Sequence, residues 1–464
     1  MEKFDLIVIG AGPGGYPAAI RAAQLGASVA IVEREVPGGT CLNWGCIPTK
    51  TLIASAELAD QLRHADTWGL KAAAPQIDYP ALIRRKNEVV AQLSGGVAGL
   101  LKANGVKWFQ GTASFLTRNQ INVAQGSNNT VLEAAHTVIS TGSTSTLPGF
   151  LPKHPRVVES RAFLDHTQLP ASMIILGGGV IGCEFACLAA RLGVQVTVVE
   201  MLPDILLILD EDVRKELRQV FEKKLKIRIL TGAAMTDIVA DTNGVAGKAG
   251  DAKISAELML VAIGRRPVTA ELNLAAIGIQ TTPAGYIPVD AQGRTRAASI
   301  YAIGDVNGGP QFAHAATRQG VIVAENLFGK ARTSFDPLVP ACIFTDPEVG
   351  SVGLTEAQAK EQNRAVKIGK FTFAHLGKAL ASGHPGGFVK WIADAATDRL
   401  LGAHAVGSHA TELIAEATLA IRGEYTAREL GRTIHSHPTL SEAWMEAAHA
   451  LHGTCIHAPP RRKT

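Results

Sequence analysis

The chain has 464 residues, 47 % of them hydrophobic and 19 % charged, room for roughly two to four domains with sizeable cores. Basic residues number 45 and acidic residues 41, and a net charge of +4 is too balanced to imply a nucleic-acid partner. Six cysteines over this length do not make a secreted disulfide framework, no metal-ligand spacing appears, and no apolar run reaches the length of a membrane span. A cytoplasmic protein without membrane, nucleic-acid or metal partners is expected, in which a conspicuous cysteine pair points to catalysis.

Leu6-Ile7-Val8-Ile9 reads as a parallel strand buried on both faces. It runs into Gly10-Ala11-Gly12-Pro13-Gly14-Gly15, a helix to Leu25-Gly26, and the strand Val29–Val32 ending on Glu33. Gly10, Gly12 and Gly15 let the backbone approach a pyrophosphate, the helix N-terminus stabilises its charge, and Glu33 accepts hydrogen bonds from ribose hydroxyls. A lone G-x-G-x-x-G says little; strand, glycines, helix, strand and acid in one unit point to a dinucleotide.

Directly afterwards, Cys41 and Cys46 sit among Gly38, Gly39, Gly45, Pro48 and Lys50. Along a regular helix their Cα atoms would lie roughly 8.6 Å apart, whereas a disulfide needs less than about 7 Å. The pair can bridge only where the backbone leaves the helix, which Gly45 permits. Pro48 suits the first turn of a helix continued by Leu52, Ile53, Ala56, Leu58, Ala59 and Leu62. Two readings stand here: a redox-active dithiol at the start of a buried helix, or two small core cysteines. Cys183, Cys187, Cys342 and Cys455 read as small buried hydrophobes.

Asp78–Leu101 is expected to be helical, with short strands at 106–109, 113–115 and 121–123. Val138–Gly142 is a buried strand that passes Thr141 and ends on Gly142. From Ile174 the first unit recurs at an offset of 167 residues: Gly10 to Gly177, Gly12 to Gly179, Gly15 to Gly182, Glu33 to Glu200. Two matched units imply two dinucleotides, or a duplicated fold with one site lost; the glycines and the acid stand in both copies, which favours two. The one beside the cysteines should exchange electrons with sulfur and is read as a flavin. The other is read as NAD(H), because Glu200 would oppose a 2′-phosphate and Met201–Asp204 brings no Arg or Lys.

An amphipathic helix near Asp210–Leu225 and hairpin-like strands come next, then a strand Leu258–Arg265 closing the second unit with Ala262, Gly264 and Arg265. Ile300–Asp305 repeats the strand-glycine pattern and adds an acid, Asp305. From about Pro340 the character changes, with strands around 343–344, 366–373 and 388–393 and helices at 410–422 and from 441. Arg461, Arg462 and Lys463 read as a solvated tail. The expected fold is α/β: Rossmann-like dinucleotide-binding domains at 1–147 and 148–270, a segment 271–339 completing the first, and a C-terminal α+β domain at 340–464.

A second constellation lies far from the cysteines, at Ile434-His435-Ser436-His437-Pro438-Thr439-Leu440-Ser441-Glu442. Pro438 restricts His437 to an extended or turn conformation, and Ser441 or Thr439 can cap the next helix. Glu442 can then reach back to an imidazole nitrogen and fix its tautomer, the base–orienter half of a nucleophile–base–orienter arrangement; on these residues alone, a helix-start histidine beside a helix-dipole glutamate is the plainer reading.

Together, GGTCLNWGCIPTK, the two glycine units, AIGDV at Ala302–Val306 and HSHPTLSE resemble the pyridine nucleotide–disulfide oxidoreductases along essentially the whole chain. Within that family the resemblance is strongest to the enzymes that reoxidise dihydrolipoyl groups with FAD and NAD+; a glutathione or mercuric reductase type is the alternative. It implies that Cys41 is the interchange thiol and Cys46 the thiol beside the flavin. Lys50 then lies near flavin N5 with Glu184 as its ion-pair partner. Asp305 is similar to the ribitol-binding aspartate, Ala313-His314 to the segment at the flavin ring, and Ala113 to a backbone contact with the adenine. His437 and Glu442 are similar to the base and its orienter, acting on the cysteines of the other subunit of a homodimer. The C-terminal domain is then a dimerisation domain, and lipoyl domains and the acyltransferase core of a 2-oxo acid dehydrogenase complex are the implied partners. Trp44 stands where the family often has a smaller aliphatic residue.

Overall fold

The computed structural model describes residues 1–330 and 332–459. Arg461, Arg462 and Lys463, read as a basic tail, lie outside the described residues. Contacts divide the chain into two units: Met1–Phe150, Val158–Leu169 and Ile263–Asp336 form one, and Leu151–Val157, Pro170–Ala262 and the chain from Pro337 form the other.

In the first unit, β1 (Glu2–Ile9), β2 (Val29–Glu33), β3 (Lys107–Gln110), β4 (Thr112–Phe115), β5 (Gln120–Gln125) and β6 (Asn128–Ile139) make one sheet, ordered β3-β2-β1-β6-β5-β4. Its β1, β2, β3 and β6 pair in parallel, and Ile300–Ala302 adds in parallel beside β6. Leu6, Ile7 and Val8 are fully buried, as a strand covered on both faces requires. Of the strand read at 138–142 only Val138 and Ile139 are strand, the end of the 12-residue β6, and Ser140, Thr141 and Gly142 lie between it and the next strand. The first three residues of β6, Asn128, Asn129 and Thr130, are polar and exposed, and the antiparallel ladder with β5 defines its first half. A short β7 (Ser143–Ser145) comes next.

Helix α1 (Gly15–Gln24) lays Ala18, Ala19 and Ala22 on the core. Its close neighbour is the Ala313–Phe328 helix, where a Cβ on Gly320 would lie 2.3 Å from the Gly14 carbonyl oxygen. The cysteine segment forms α2 (Gly39–Trp44) and α3 (Cys46–Arg63), succeeded by α4 (Tyr79–Ala103) and α5 (Ser160–Leu164). Asp78 caps α4 by accepting the Ala81 N–H. Helix α3 is buried on one face only: Leu52, Ala56 and Ala59 are inside, while Leu58 and Leu62 face solvent.

The second unit repeats the parallel pattern with Ser172–Leu176, Gln195–Val199, Arg228–Leu230 and Leu258–Val261. Met173 lies opposite Val196 as Leu6 lies opposite Val29, so the strand register keeps the 167-residue offset. Helices α6 (Val180–Arg191) and α7 (Glu211–Lys223) belong to it. The strand expected over 258–265 stops at Val261. Arg265–Pro267 instead pairs antiparallel with β7 in the first unit.

The same unit holds an antiparallel sheet of Ala341–Ile343, Glu348–Gly353, Leu400–Gly407, Gly387–Asp394 and Val366–Thr372, in that order. Two of these strands, 348–353 and 400–407, escaped sequence reading because glycine and alanine dilute the period-2 signal. The Ala410–Arg422 and Glu442–Leu451 helices pack on the sheet around fully buried Trp391 and Trp444, whose ring centroids are 4.6 Å apart.

Candidate active site

The two glycine turns share one geometry. Gly10 and Gly177 take φ of 97° and 112°, a region closed to most L-residues. A Cβ on Gly15 would lie 1.8 Å from the Gly10 carbonyl oxygen, and one on Gly182 would lie 2.0 Å from that of Gly177. Glu33 accepts the Ala11 and Glu35 N–H groups at 2.8 and 2.9 Å; Glu200 accepts those of Gly178 and Leu202 at 2.6 and 2.8 Å. Each carboxylate keeps lone pairs for ribose hydroxyls after these bonds. A groove beside the first turn is lined by Gly10, Glu33, Gly111, Ala113 and Thr141. Backbone that would be filled by any Cβ, a helix start and an acid beside a groove fit a dinucleotide. After Glu200 the nearest arginines in the chain are committed elsewhere: Arg214 and Arg218 both bind Asp204, at 2.6 and 2.9 Å.

Gly45, with φ −141° and ψ −108°, breaks the helix between α2 and α3, and this is the departure the cysteine spacing demands. Cys41 and Cys46 hydrogen-bond to one another. That bond, burial and the Cys46 charge push the Cys41 thiol well above its ordinary range, while the Lys50 ammonium works against them. The loop is fixed to the first glycine turn by the Gly38 N–H on the Ala11 carbonyl, 2.8 Å. Asn43 Nδ2 donates to the Pro37 and Gly39 carbonyls, and Ser94 Oγ also reaches Pro37. Burial, with the Cys41 charge adding to it, raises the pKa of Tyr16, next to Gly15.

The histidine constellation belongs to the second unit. His437 precedes Pro438 through a cis peptide, and its Nδ1 lies 2.9 Å from Glu442 Oε1. Glu442 Oε2 accepts the Thr439 N–H at 2.8 Å. Burial alone would raise the Glu442 pKa, but these two hydrogen bonds lower it. The ionised carboxylate only accepts, so Nδ1 carries the proton and Nε2 is the basic atom on a largely exposed ring. Ser441 occupies the N-cap position of the Glu442–Leu451 helix without a side-chain cap bond; its hydroxyl pairs with Thr439 Oγ1 instead.

The family model for the pyridine nucleotide-disulphide oxidoreductases matches residues 4–320, and that for their dimerisation domain matches residues 339–448. The chain belongs to the pyridine nucleotide-disulphide oxidoreductases. Its cofactors are FAD and NAD. The dihydrolipoyl dehydrogenase of Thermus scotoductus is 44 % identical over 464 residues, 98 % of this chain and 99 % of that one. That of Chlamydia pneumoniae is 41 % identical over 461 residues, 99 % of each. The solved structure of LpdA from Mycobacterium tuberculosis superposes with a TM-score of 0.91 at 28 % identity, covering 97 % of this chain and 100 % of that chain. Among the described residues no helix is long and apolar enough to cross a membrane.

Other positions singled out for the disulphide oxidoreductase chemistry divide between the units. Asp305 accepts the Ser143 hydroxyl at 2.5 Å, and Arg265 binds the same Ser143 through its hydroxyl and its carbonyl, both at 2.7 Å. Arg265 is therefore engaged in the first unit. Gly142 takes φ 68°, and Thr141 Oγ1 donates to the Val268 carbonyl. Ala313 and His314 open the Ala313–Phe328 helix, with the His314 ring stacked on Phe312 at 5.2 Å. Ala262 and Gly264 come just after the strand Leu258–Val261. Lys50 lies in the first unit, one turn after Cys46. Glu184 is buried in the second, where it accepts the Phe344 N–H at 2.9 Å.

Cys183 and Cys187 are buried as read. Cys455 is not a simple core thiol: it donates to Glu446 at 3.0 Å, and burial with that carboxylate pushes its pKa up to about 11. Asp210, Asp212 and Glu356 cluster closely enough for a cation, and the Lys390 ammonium binds all three. His435, part of the histidine constellation but given no role there, has its Nε2 2.7 Å from Glu416 and its Nδ1 2.9 Å from the Thr433 carbonyl. Both partners are acceptors, so both nitrogens donate, and the Glu416 carboxylate raises the His435 pKa. The repeated histidine in HSH was the available signal.

Proposed function

We propose that the chain reoxidises dihydrolipoyl groups through the Cys41–Cys46 pair, with NAD+ as the final acceptor. The observation that carries this is the dithiol: two hydrogen-bonded thiols at a broken helix whose loop is bonded to the first glycine turn. The named relatives, identical at 41 % and 44 % over nearly the whole chain, support the substrate class. FAD is assigned to Gly10, Gly12, Gly15, Glu33, Ala113, Thr141, Gly142, Asp305, Ala313 and His314, with segment 271–339 completing its domain. NAD is assigned to Gly177, Gly179, Gly182 and Glu200, with Ala262 and Gly264; Arg265, expected to join them, is instead bonded to Ser143. When bound, FAD accepts the electron pair of the dithiol and NAD+ removes it as hydride.

His437 Nε2 takes a proton from a dihydrolipoyl thiol, because the thiolate is the nucleophile. The thiolate attacks the sulfur of Cys41 in the Cys41–Cys46 disulfide; a mixed disulfide forms and Cys46 leaves as a thiolate. The second substrate thiolate then displaces Cys41, which closes the lipoyl ring and leaves the reduced pair. Glu442 holds the His437 Nδ1–H and stabilises the imidazolium. Lys50 and Glu184 are assigned to the flavin side. The working molecule is a homodimer in the cytoplasm, with His437 serving the cysteines of the other subunit, and it receives lipoyl domains from a 2-oxo acid dehydrogenase complex. Replacing His437 by Gln should slow oxidation of dihydrolipoamide by about 10²–10⁴-fold, while bleaching of the flavin by NADH stays nearly unchanged. Equal loss of both rates, measured by stopped flow, would sink the assignment.

A further inference from the structure

Helix α2, which carries Cys41, has six residues, no side-chain cap and no buried residue. A helix this short has little stability of its own, so something outside it must fix the position of the thiol. Its last residue, Trp44, stands immediately before the Gly45 break, and the Arg161 guanidinium lies over its ring at 3.9 Å from the centroid. Arg161 is in turn gripped by Glu35 through two bonds, Nη1 to Oε1 at 3.2 Å and Nη2 to Oε2 at 2.6 Å. The hydrogen bonds lower the pKa of Glu35 and raise that of Arg161.

Both ends of this clamp rest on fixed backbone. The Glu35 N–H is held by Glu33, the acid of the first glycine unit. Arg161 lies in α5, whose first N–H groups are capped by Glu159, whose Phe163 and Leu164 are buried, and whose Leu164 carbonyl binds Lys86 of α4. Stacking on an aromatic face is specific to the planar guanidinium, and Glu35 presents the matching carboxylate fork.

We propose that Arg161 is a positioning residue for the dithiol: clamped by Glu35 and stacked on Trp44, it docks α2 so that Cys41 stays aligned with Cys46. The inference deepens the proposed function and rests on the pair cycling between dithiol and disulfide. Loosening α2 lowers the effective concentration of one sulfur at the other, so the disulfide becomes easier to reduce.

The test is the exchange equilibrium of the FAD-loaded protein with dithiothreitol, in which the Cys41–Cys46 disulfide accepts two electrons and two protons and dithiothreitol leaves as its cyclic disulfide. Alkylation of the thiols after quenching reads the ratio of reduced to oxidised reagent at half-reduction. In Arg161→Ala and Trp44→Ala that ratio should fall by about 2- to 5-fold. Arg161→Lys should behave as Arg161→Ala does, Trp44→Phe should remain near the parent, and the double alanine variant should add nothing to either single change. Because Arg161 is at the surface, its variant reports even if Trp44→Ala fails to fold. An unchanged ratio in Arg161→Ala, or fully additive alanine effects, would overturn the clamp. A parent protein whose pair does not exchange at all would overturn the redox reading instead.

Discussion

The two glycine units are alike in backbone and unlike in surroundings. Register, positive-φ glycines and the two bonds made by each acid coincide at an offset of 167 residues. Yet the first turn is roofed by the cysteine loop, where a Cβ on Gly39 would lie 2.6 Å from Gly12 Cα, whereas a Cβ on Gly179 meets nothing within 4 Å. The units are also tied down differently. Helix α1 docks by close backbone contact, with Thr317 Oγ1 on the Pro13 carbonyl at 2.8 Å and an Arg21–Glu325 pair at 2.9 Å. Beside the second unit, α7 is anchored at its N-cap by charge: Lys390, 1 % exposed, binds Asp210 at 2.7 Å and Asp212 at 3.2 Å. One local design thus serves two turns with different neighbours: the cysteine loop lies against the first, and Ile205 lies against the second, 2.7 Å from where a Gly178 Cβ would be.

The largest expected effect separates the two turns. Gly15→Ala should yield protein without bound flavin, because its Cβ meets the Gly10 oxygen. Gly182→Ala should keep its flavin colour and lose NAD+ reduction on the order of 100-fold. Flavin absorbance per mole of protein and a turnover assay check both, and full activity in Gly182→Ala would break the equivalence of the units.

The anchors should differ next. Lys390→Met leaves Asp210 buried without its cation and should cost about 3–5 kcal/mol in urea unfolding. Arg21→Met removes a partly exposed pair and should cost less than about 1 kcal/mol. Similar losses would mean that the charged anchor is no stronger than the exposed one.

The smallest effect is a pH dependence. Burial would raise the Asp210 pKa, but the Lys390 hydrogen bond, His404 and the Lys390 charge bring it below its ordinary value of 3.8. Asp212 and Glu356 face the same ammonium, and burial lowers the His404 pKa, which favours the neutral ring. The contribution is therefore complete above pH 3.8 and is lost as pH falls through the depressed value of the folded state. The stability gap between the parent and Asp210→Asn should be flat from neutral pH to about 4 and close only below that. A gap that closes near pH 6 would point to a histidine instead.

Much of the site was legible because its requirements are local. The glycine turns, the dithiol and the His437–Glu442 pair each depend on steric or hydrogen-bond demands within a few residues of one another. The strands 348–353 and 400–407 were hidden because their burial comes from neighbours in the sheet, not from an apolar alternation of their own. The break of the 258–265 segment was hidden for a related reason: Arg265 is drawn to Ser143 and Asp305 by pairing with β7.

Local spacing alone specifies two glycine-turn cradles and a cysteine pair that cannot lie on one unbroken helix. These rest on φ angles and spacings that only particular residues satisfy. Folding alone brings Arg161 onto Trp44, places Lys390 among three carboxylates and gives His435 an acceptor at each nitrogen. Charged side chains far apart in the chain choose partners by where the fold leaves them and by the cost of burying a charge alone, and neither quantity is written in local spacing.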